Sequence, residues 1–161
     1  MAKKKPVMTN AMRLLSKEKI NYEAVEYETD EVGDNFGMHI AELTGIPCEQ
    51  SFKTLVARGN DAMVVCVPVN CEVDLKKLAK ASGDKKAELI HVKELLGLTG
   101  YIRGGVSPIG MKKRYPTYIH ESCLEFDRIA VSGGQCGITL LMSPEDVIKV
   151  TGAKTCDIVK N

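Results

Sequence analysis

Residues 51–57 alternate in the manner of a strand, with Phe52, Thr54 and Val56 on one face and Lys53, Leu55 and Ala57 on the other. Both faces are largely apolar, which predicts a strand covered on both sides. Gly59-Asn60-Asp61 then reads as a turn, and residues 62–67 as an antiparallel partner ended by Pro68. Helical spacing predicts a first helix from the cap Thr9 through Ala11, Leu14 and Leu15 to about Lys19. Residues 23–28 predict a short strand with Ala24 and Val25 inward. A polar loop over 29–37 follows, then a helix to Leu43 stopped by Gly45. Asp74 opens a helix through Leu75, Leu78 and Ala79 that Gly83 ends. Beyond it lie a short strand at 87–90 and a short helix at 92–96. Strands are expected at 117–120 and 128–132, with 138–142 as hairpin partner to the latter. Ser143 caps a helix with Pro144 at its first position and Asp146 at its third, ending at Gly152, and residues 155–159 make a last short strand.

The result is about seven strands with about five helices, irregularly interleaved and without the βαβ rhythm of a doubly wound sheet. The fold class expected is α/β of the α+β kind: a mixed, largely antiparallel, barrel-like sheet surrounded by helices. The 161 residues suit one domain over 1–161, with 1–8 as a flexible basic tail.

Composition adjusts this picture in three ways. With no Trp, the core rests on Val, Ile, Leu and Met. The 22 basic and 21 acidic residues leave a formal charge of +1, which argues against a protein that grips nucleic acid mainly through phosphates. Neither a secretory signal nor a membrane-length apolar run is present, so the reading is a cytoplasmic protein with no membrane contact. Cys48, Cys66, Cys71, Cys123, Cys136 and Cys156 show no C-x-x-C spacing, and His39, His91 and His120 are scattered. Packed, reduced thiols are therefore expected in preference to a zinc or redox site.

Chemistry has to be sought without the usual motifs. There is no G-x-S-x-G elbow, no phosphate-binding G-x-x-x-x-G-K loop, no H-E-x-x-H and no G-x-G-x-x-G. What remains is Lys53, rooted in a covered strand, and two glycine-rich segments at 104–110 and 132–137. Lysine is almost never fully buried without a partner, so Lys53 is either a snorkelling surface group or a site residue. Glycine-rich backbone exposes N–H groups that can hold a carbonyl oxygen as it gains negative charge.

Five segments in order carry a resemblance: Asn35-Phe36-Gly37, Phe52-Lys53-Thr54-Leu55, the D-L-K-K-L-A-K run at 74–80, G-Y-x-x-G-G-x-S-P-x-G at 100–110 and V-S-G-G-x-x-G at 131–137. Together they resemble the YbaK/EbsC family, free-standing relatives of the editing domain of bacterial prolyl-tRNA synthetase. The resemblance implies a mixed barrel-like fold, no metal and no cofactor. It implies hydrolysis of the ester joining a wrong amino acid to a tRNA 3′ end, in its nearest members cysteine on tRNA(Pro). It makes Lys53 the catalytic residue, positioning the terminal phosphate or the scissile ester. Tyr27, Phe36, Thr54, Gly104, Gly105, Ser107, Pro108, Ser132, Gly133 and Gly134 become substrate-binding candidates. Lys112, Lys113 and Arg114 are candidates for contacting the acceptor end. The implied partners are mischarged tRNA, weakly held by the protein alone, and prolyl-tRNA synthetase. Two positions depart from the cysteine-specific pattern: Thr139 stands where an acidic residue is usual, and Cys136 where a basic one is.

The missing protein nucleophile fits the family's proposed chemistry, in which the substrate's own thiol attacks its carbonyl. Cysteine and proline have similar volumes, so a proline-activating site rejects cysteine poorly and a second hydrolytic site is the remedy. Three readings stay open on the residues alone. The chain is a water-using deacylase for another amino acid, a non-catalytic binder of charged tRNA or nucleotide ends, or a thiol or zinc protein.

Overall fold

The computed structural model describes residues 8–29 and 36–161. Apart from Met8, the expected basic tail lies outside them, as do most of the 29–37 loop and Asn35. The elements are α1 (Asn10–Lys17), β1 (Glu23–Glu26), α2 (Phe36–Thr44), β2 (Phe52–Arg58), β3 (Ala62–Pro68), α3 (Leu75–Ser82), β4 (Glu88–Leu89), α4 (Leu95–Thr99), β5 (Thr117–His120), β6 (Ile129–Ser132), β7 (Ile138–Met142), α5 (Pro144–Thr151) and β8 (Lys154–Cys156). Local chemistry explains the helix ends. The Thr9 hydroxyl accepts the Met12 N–H at 3.2 Å, and Asp74 accepts from the N–H groups of Lys76 and Lys77. No described helix is long and apolar enough to cross a membrane.

The strands form two sheets. One has the order β1-β7-β6 and is antiparallel throughout. The other has the order β4-β2-β3-β5-β8, antiparallel from β4 to β3 and parallel from β3 to β8. A single parallel bridge between Ser51 and Ala130 joins them. The sheet structure is thus mixed and mostly antiparallel, split into two sheets, and no closed barrel forms among the described residues. Beyond that bridge, the β2 edge turned away from β3 is covered by β4 at Ala57 and Arg58 and by the Ile90 N–H, which donates to the Val56 carbonyl at 3.1 Å.

Two apolar layers explain why β2 reads as covered on both faces. Phe52, Val64, Cys66 and Ile119 look inward at Val131, Leu140 and Met142, with α1 and α5 closing that core. Ala57, Val65, Val67 and Tyr118 look outward at Leu78 and Ala79 of α3. A smaller cluster joins Ile46, Ala130 and Leu141, with Val25 packed on it.

Three local expectations need correction. Ala24 is exposed, because β1 is an edge strand and only Val25 meets the third cluster. Ser143 does not cap α5 with its side chain; its hydroxyl donates to Glu145 Oε2 at 2.6 Å. The last strand stops at Cys156, and Val159 makes only an isolated bridge to Val73.

The two glycine-rich segments pack against each other. A Cβ on Gly105 would meet Gln135 Cα at 2.9 Å and the Cys136 nitrogen at 3.0 Å. Tyr101 fastens the pair: its hydroxyl donates to the Ile109 carbonyl at 2.6 Å, and its ring lies where a Cβ on Gly134 would fall. Burial pushes the Tyr101 hydroxyl up to about 12. Gly110, with φ +74°, brings the first segment onto the start of α1 beside Asn10 and Ala11. Tyr101→Phe strands a buried carbonyl and should cost about 1–3 kcal/mol in urea unfolding. Gly105→Ala forces backbone against backbone and should cost about 1–3 kcal/mol as well; unchanged midpoints in both variants would show that the loops are not mutually supported.

Candidate functional site

The uncovered edge of β2 opens into a cleft of about 460 Å³. Its floor is the edge itself, from Ser51 to Val56. One wall is α2 with Phe36, Ile40 and Thr44; another is Ala130, Ser132 and Thr139 of the smaller sheet; the third is Leu89 to Leu95 with Arg103, Gly104 and Val106. Apolar side chains dominate, with few polar groups among them, the usual make-up of a small-molecule pocket.

Lys53 and Thr54 leave β2 on opposite faces. Both line the cleft because it wraps round the strand's free edge. The Thr54 hydroxyl turns inward to Cys66 Sγ at 3.8 Å. Lys53 turns outward, beneath the first turn of α2, where Gly37 sits close to Val69 and to the Lys53 Cβ. Burial holds the Lys53 ammonium below its ordinary value, against an upward pull from Glu72 and Cys71. Glu72 is itself paired with Lys160 at 3.2 Å. No carboxylate among the described residues makes an ion pair with Lys53. A half-buried ammonium of this kind has charge available for a ligand.

The other sequence candidates divide. Tyr27, Phe36, Thr54, Gly104 and Ser132 line the same cleft as Lys53. Tyr27 is fixed through its N–H to the Gly137 carbonyl at 2.9 Å, and burial raises its hydroxyl above the ordinary value. Gly105, Ser107, Pro108, Gly133 and Gly134 do not line it. Ser107 is fully buried, and its hydroxyl accepts the Ile109 N–H at 3.2 Å, shaping the loop from within. Gly133 has no room for a side chain beside Ile138, and Gly134 none beside Tyr101. The close approaches these glycines permit are therefore to protein rather than to ligand space. Lys112, Lys113 and Arg114 are exposed and lie outside this cleft.

Sequence reasoning missed Arg103 on the cleft wall and Tyr101 behind the loops. Arg103 occupies a variable position of G-Y-x-x-G-G, where a cation beside a glycine-rich turn was the available signal. Thr139 lines the cleft, but its hydroxyl donates to the Val131 carbonyl at 2.9 Å. Of the thiols, Cys66 and Cys123 are core residues, pushed by burial up to about 12 and about 11. Neither is a ready nucleophile or ligand.

Comparison with known proteins places this geometry. A model of the "Aminoacyl-tRNA editing domain" family matches residues 38–150. The chain is 45% identical over 162 aligned positions to the "Putative Cys-tRNA(Pro)/Cys-tRNA(Cys) deacylase EbsC" of Enterococcus faecalis, covering 98% of each. It is 33% identical over 75 residues to "Proline--tRNA ligase 1" of Streptomyces avermitilis, a match to 46% of this chain and 13% of that one. The fold is shared with the "Crystal structure of a putative trans-editing enzyme for prolyl tRNA synthetase", at a TM-score of 0.82 and 24% identity, covering 97% of this chain and 100% of that one. With the family model spanning most of its length and a relative aligned over nearly all of it, the chain belongs to the aminoacyl-tRNA editing domain family.

Proposed function

We propose that this protein is a trans-editing deacylase that cleaves the ester between cysteine and the 3′ end of tRNA(Pro). The observation that carries the reading is the Lys53 ammonium. It lies without an ion-pair partner among the described residues, in a cleft of about 460 Å³ between a glycine loop and α2. That volume suits an aminoacyl group with its terminal adenosine. The near full-length relative named for this activity supports the substrate class.

The chemistry asks little covalent work of the protein. The cysteine sulfur attacks its own ester carbonyl, the ribose oxygen leaves, and the thiol proton passes to it. Intramolecular attack gains from high effective molarity when the geometry is held. The four-membered ring that forms is strained, so the site must stabilise the developing oxyanion. Lys53 and the Gly104 N–H are the donors assigned to the ester oxygen or the terminal phosphate. Tyr27, Phe36, Thr54 and Ser132 bound the aminoacyl group, while Gly105, Ser107, Pro108, Gly133 and Gly134 hold the loops that shape its pocket.

The near-zero net charge implies weak binding of free tRNA. Prolyl-tRNA synthetase is the partner that would supply tRNA choice, in the cytoplasm where charging occurs. A second reading has one observation in its favour. The Thr139 hydroxyl is committed to the backbone at a position where the family resemblance implies an acid, which suits a water-using deacylase for another amino acid.

Lys53→Ala should slow cysteine release from cysteinyl-tRNA(Pro) by about 100-fold or more, whereas Cys136→Ala should leave it unchanged; full activity in the lysine variant refutes the assignment. Side-by-side hydrolysis of cysteinyl-, seryl- and alanyl-tRNA(Pro) tests the nucleophile, because thiol attack predicts a large loss with serine and equal rates indicate activated water. Stability supplies a further check. The folded site disfavours the ammonium, so the unfolded chain binds more protons and stability rises with pH. Lys53→Met should therefore raise the urea midpoint most below the depressed folded value, with the gain fading as pH nears the ordinary 10.5. A midpoint lower than wild type at neutral pH would contradict the burial penalty.

A further inference from the structure

A second cleft, of about 410 Å³, lies between the ends of α1 and α5 and the segment 110–117. Its charged lining is Lys113, Arg114 and Lys149, with Glu18 as the one carboxylate. None of the three cations makes an ion pair among the described residues. Two of them are held in place. The Arg114 guanidinium rests on the C-terminal turn of α5, where a Cβ on Gly152 would meet its Nη2 at 2.8 Å, and the carbonyl end of a helix favours a cation. Lys113 Nζ stands 5.8 Å from the centre of the Tyr115 ring, and that ring is pinned by its hydroxyl to the Leu98 carbonyl at 2.7 Å. Lys149 comes from the last turn of α5.

The glycine-rich segment runs from one cleft to the other, with residues 105–109 themselves buried. Gly104 and Val106 line the Lys53 cleft, and Pro108 and Gly110 line the basic one. Extended, that stretch spans at most about 20 Å, a distance that the unpaired 3′ tail of a tRNA covers. We propose that the Lys113–Arg114–Lys149 cleft holds backbone phosphates of the tRNA acceptor arm while the 3′ terminus reaches the Lys53 cleft. The inference rests on the deacylase reading above. It adds Lys149 and the walls of the second cleft to the binding surface, and leaves Lys112 outside it.

The test compares wild type with Lys113→Glu/Lys149→Glu on three probes. For uncharged tRNA(Pro), the double variant should bind about tenfold more weakly at low salt, with the slope of log affinity against log salt reduced by about 1.5. For cysteinyl-tRNA(Pro), KM should rise with kcat unchanged. For cysteinyl-adenosine, which has no upstream phosphates, hydrolysis should be unaltered. Lys113→Arg/Lys149→Arg keeps the charge and should restore wild-type affinity and slope. An unchanged salt slope and affinity in the glutamate variant overturns the proposal. If the wild type hydrolyses neither ester, the deacylase reading fails, and the uncharged-tRNA measurement still decides the phosphate site.

Discussion

An ammonium on a strand that two cores hold rigid is the constraint around which this molecule is arranged. Inward packing of Phe52 and Val56 and outward packing of Ala57 leave β2 no freedom to shift register, since a slip of one residue would exchange its faces. Lys53 is therefore delivered to one place. The cost of burying it is limited because the sheet stays open at that edge, where β4 covers only Ala57 and Arg58. Had the sheet closed there, strand pairing would have filled the space that the cleft occupies.

The glycine segments serve this arrangement at second hand. Gly105 lies against the 135–136 backbone, Tyr101 bolts the two loops together, and Gly110 seats the first of them on the start of α1. Gly104 is thereby presented at the wall facing Lys53. Site geometry is set by packing behind the loops, which is why a fully buried hydroxyl such as Ser107 belongs to the loop's internal scaffold and not to its surface.

Much of this was legible in the chain. The β2–β3 hairpin follows from alternation on both sides of Gly59-Asn60-Asp61, and α3 follows from Asp74 and Gly83, each a local signal with a local cause. The parallel pairings of β3 with β5 and β5 with β8 were not legible, because nothing in a strand's own residues names a partner so far along the chain. Ala24 misled because an alternating pattern does not reveal whether the chosen face has a neighbour. For the site, Lys53 announced itself as a charge in an apolar strand. The glycines announced close approach without saying to what; four of the candidates turned out to face protein, and Pro108 a different cleft. Lys149 gave no signal at all, since a lone lysine in a surface helix looks the same whether or not a cleft opens beside it.

The backbone-to-backbone seam at Gly105 has a bearing on how such proteins diversify. The Gly105 side of the seam tolerates no larger residue, so mutation there is closed off, whereas Thr139 stands on the far wall with its hydroxyl held by the Val131 carbonyl, away from the seam. Change in which amino acid is accepted can accumulate at that wall while the rest of the chamber keeps its shape. A lineage can thus retune its proofreading without rebuilding its architecture.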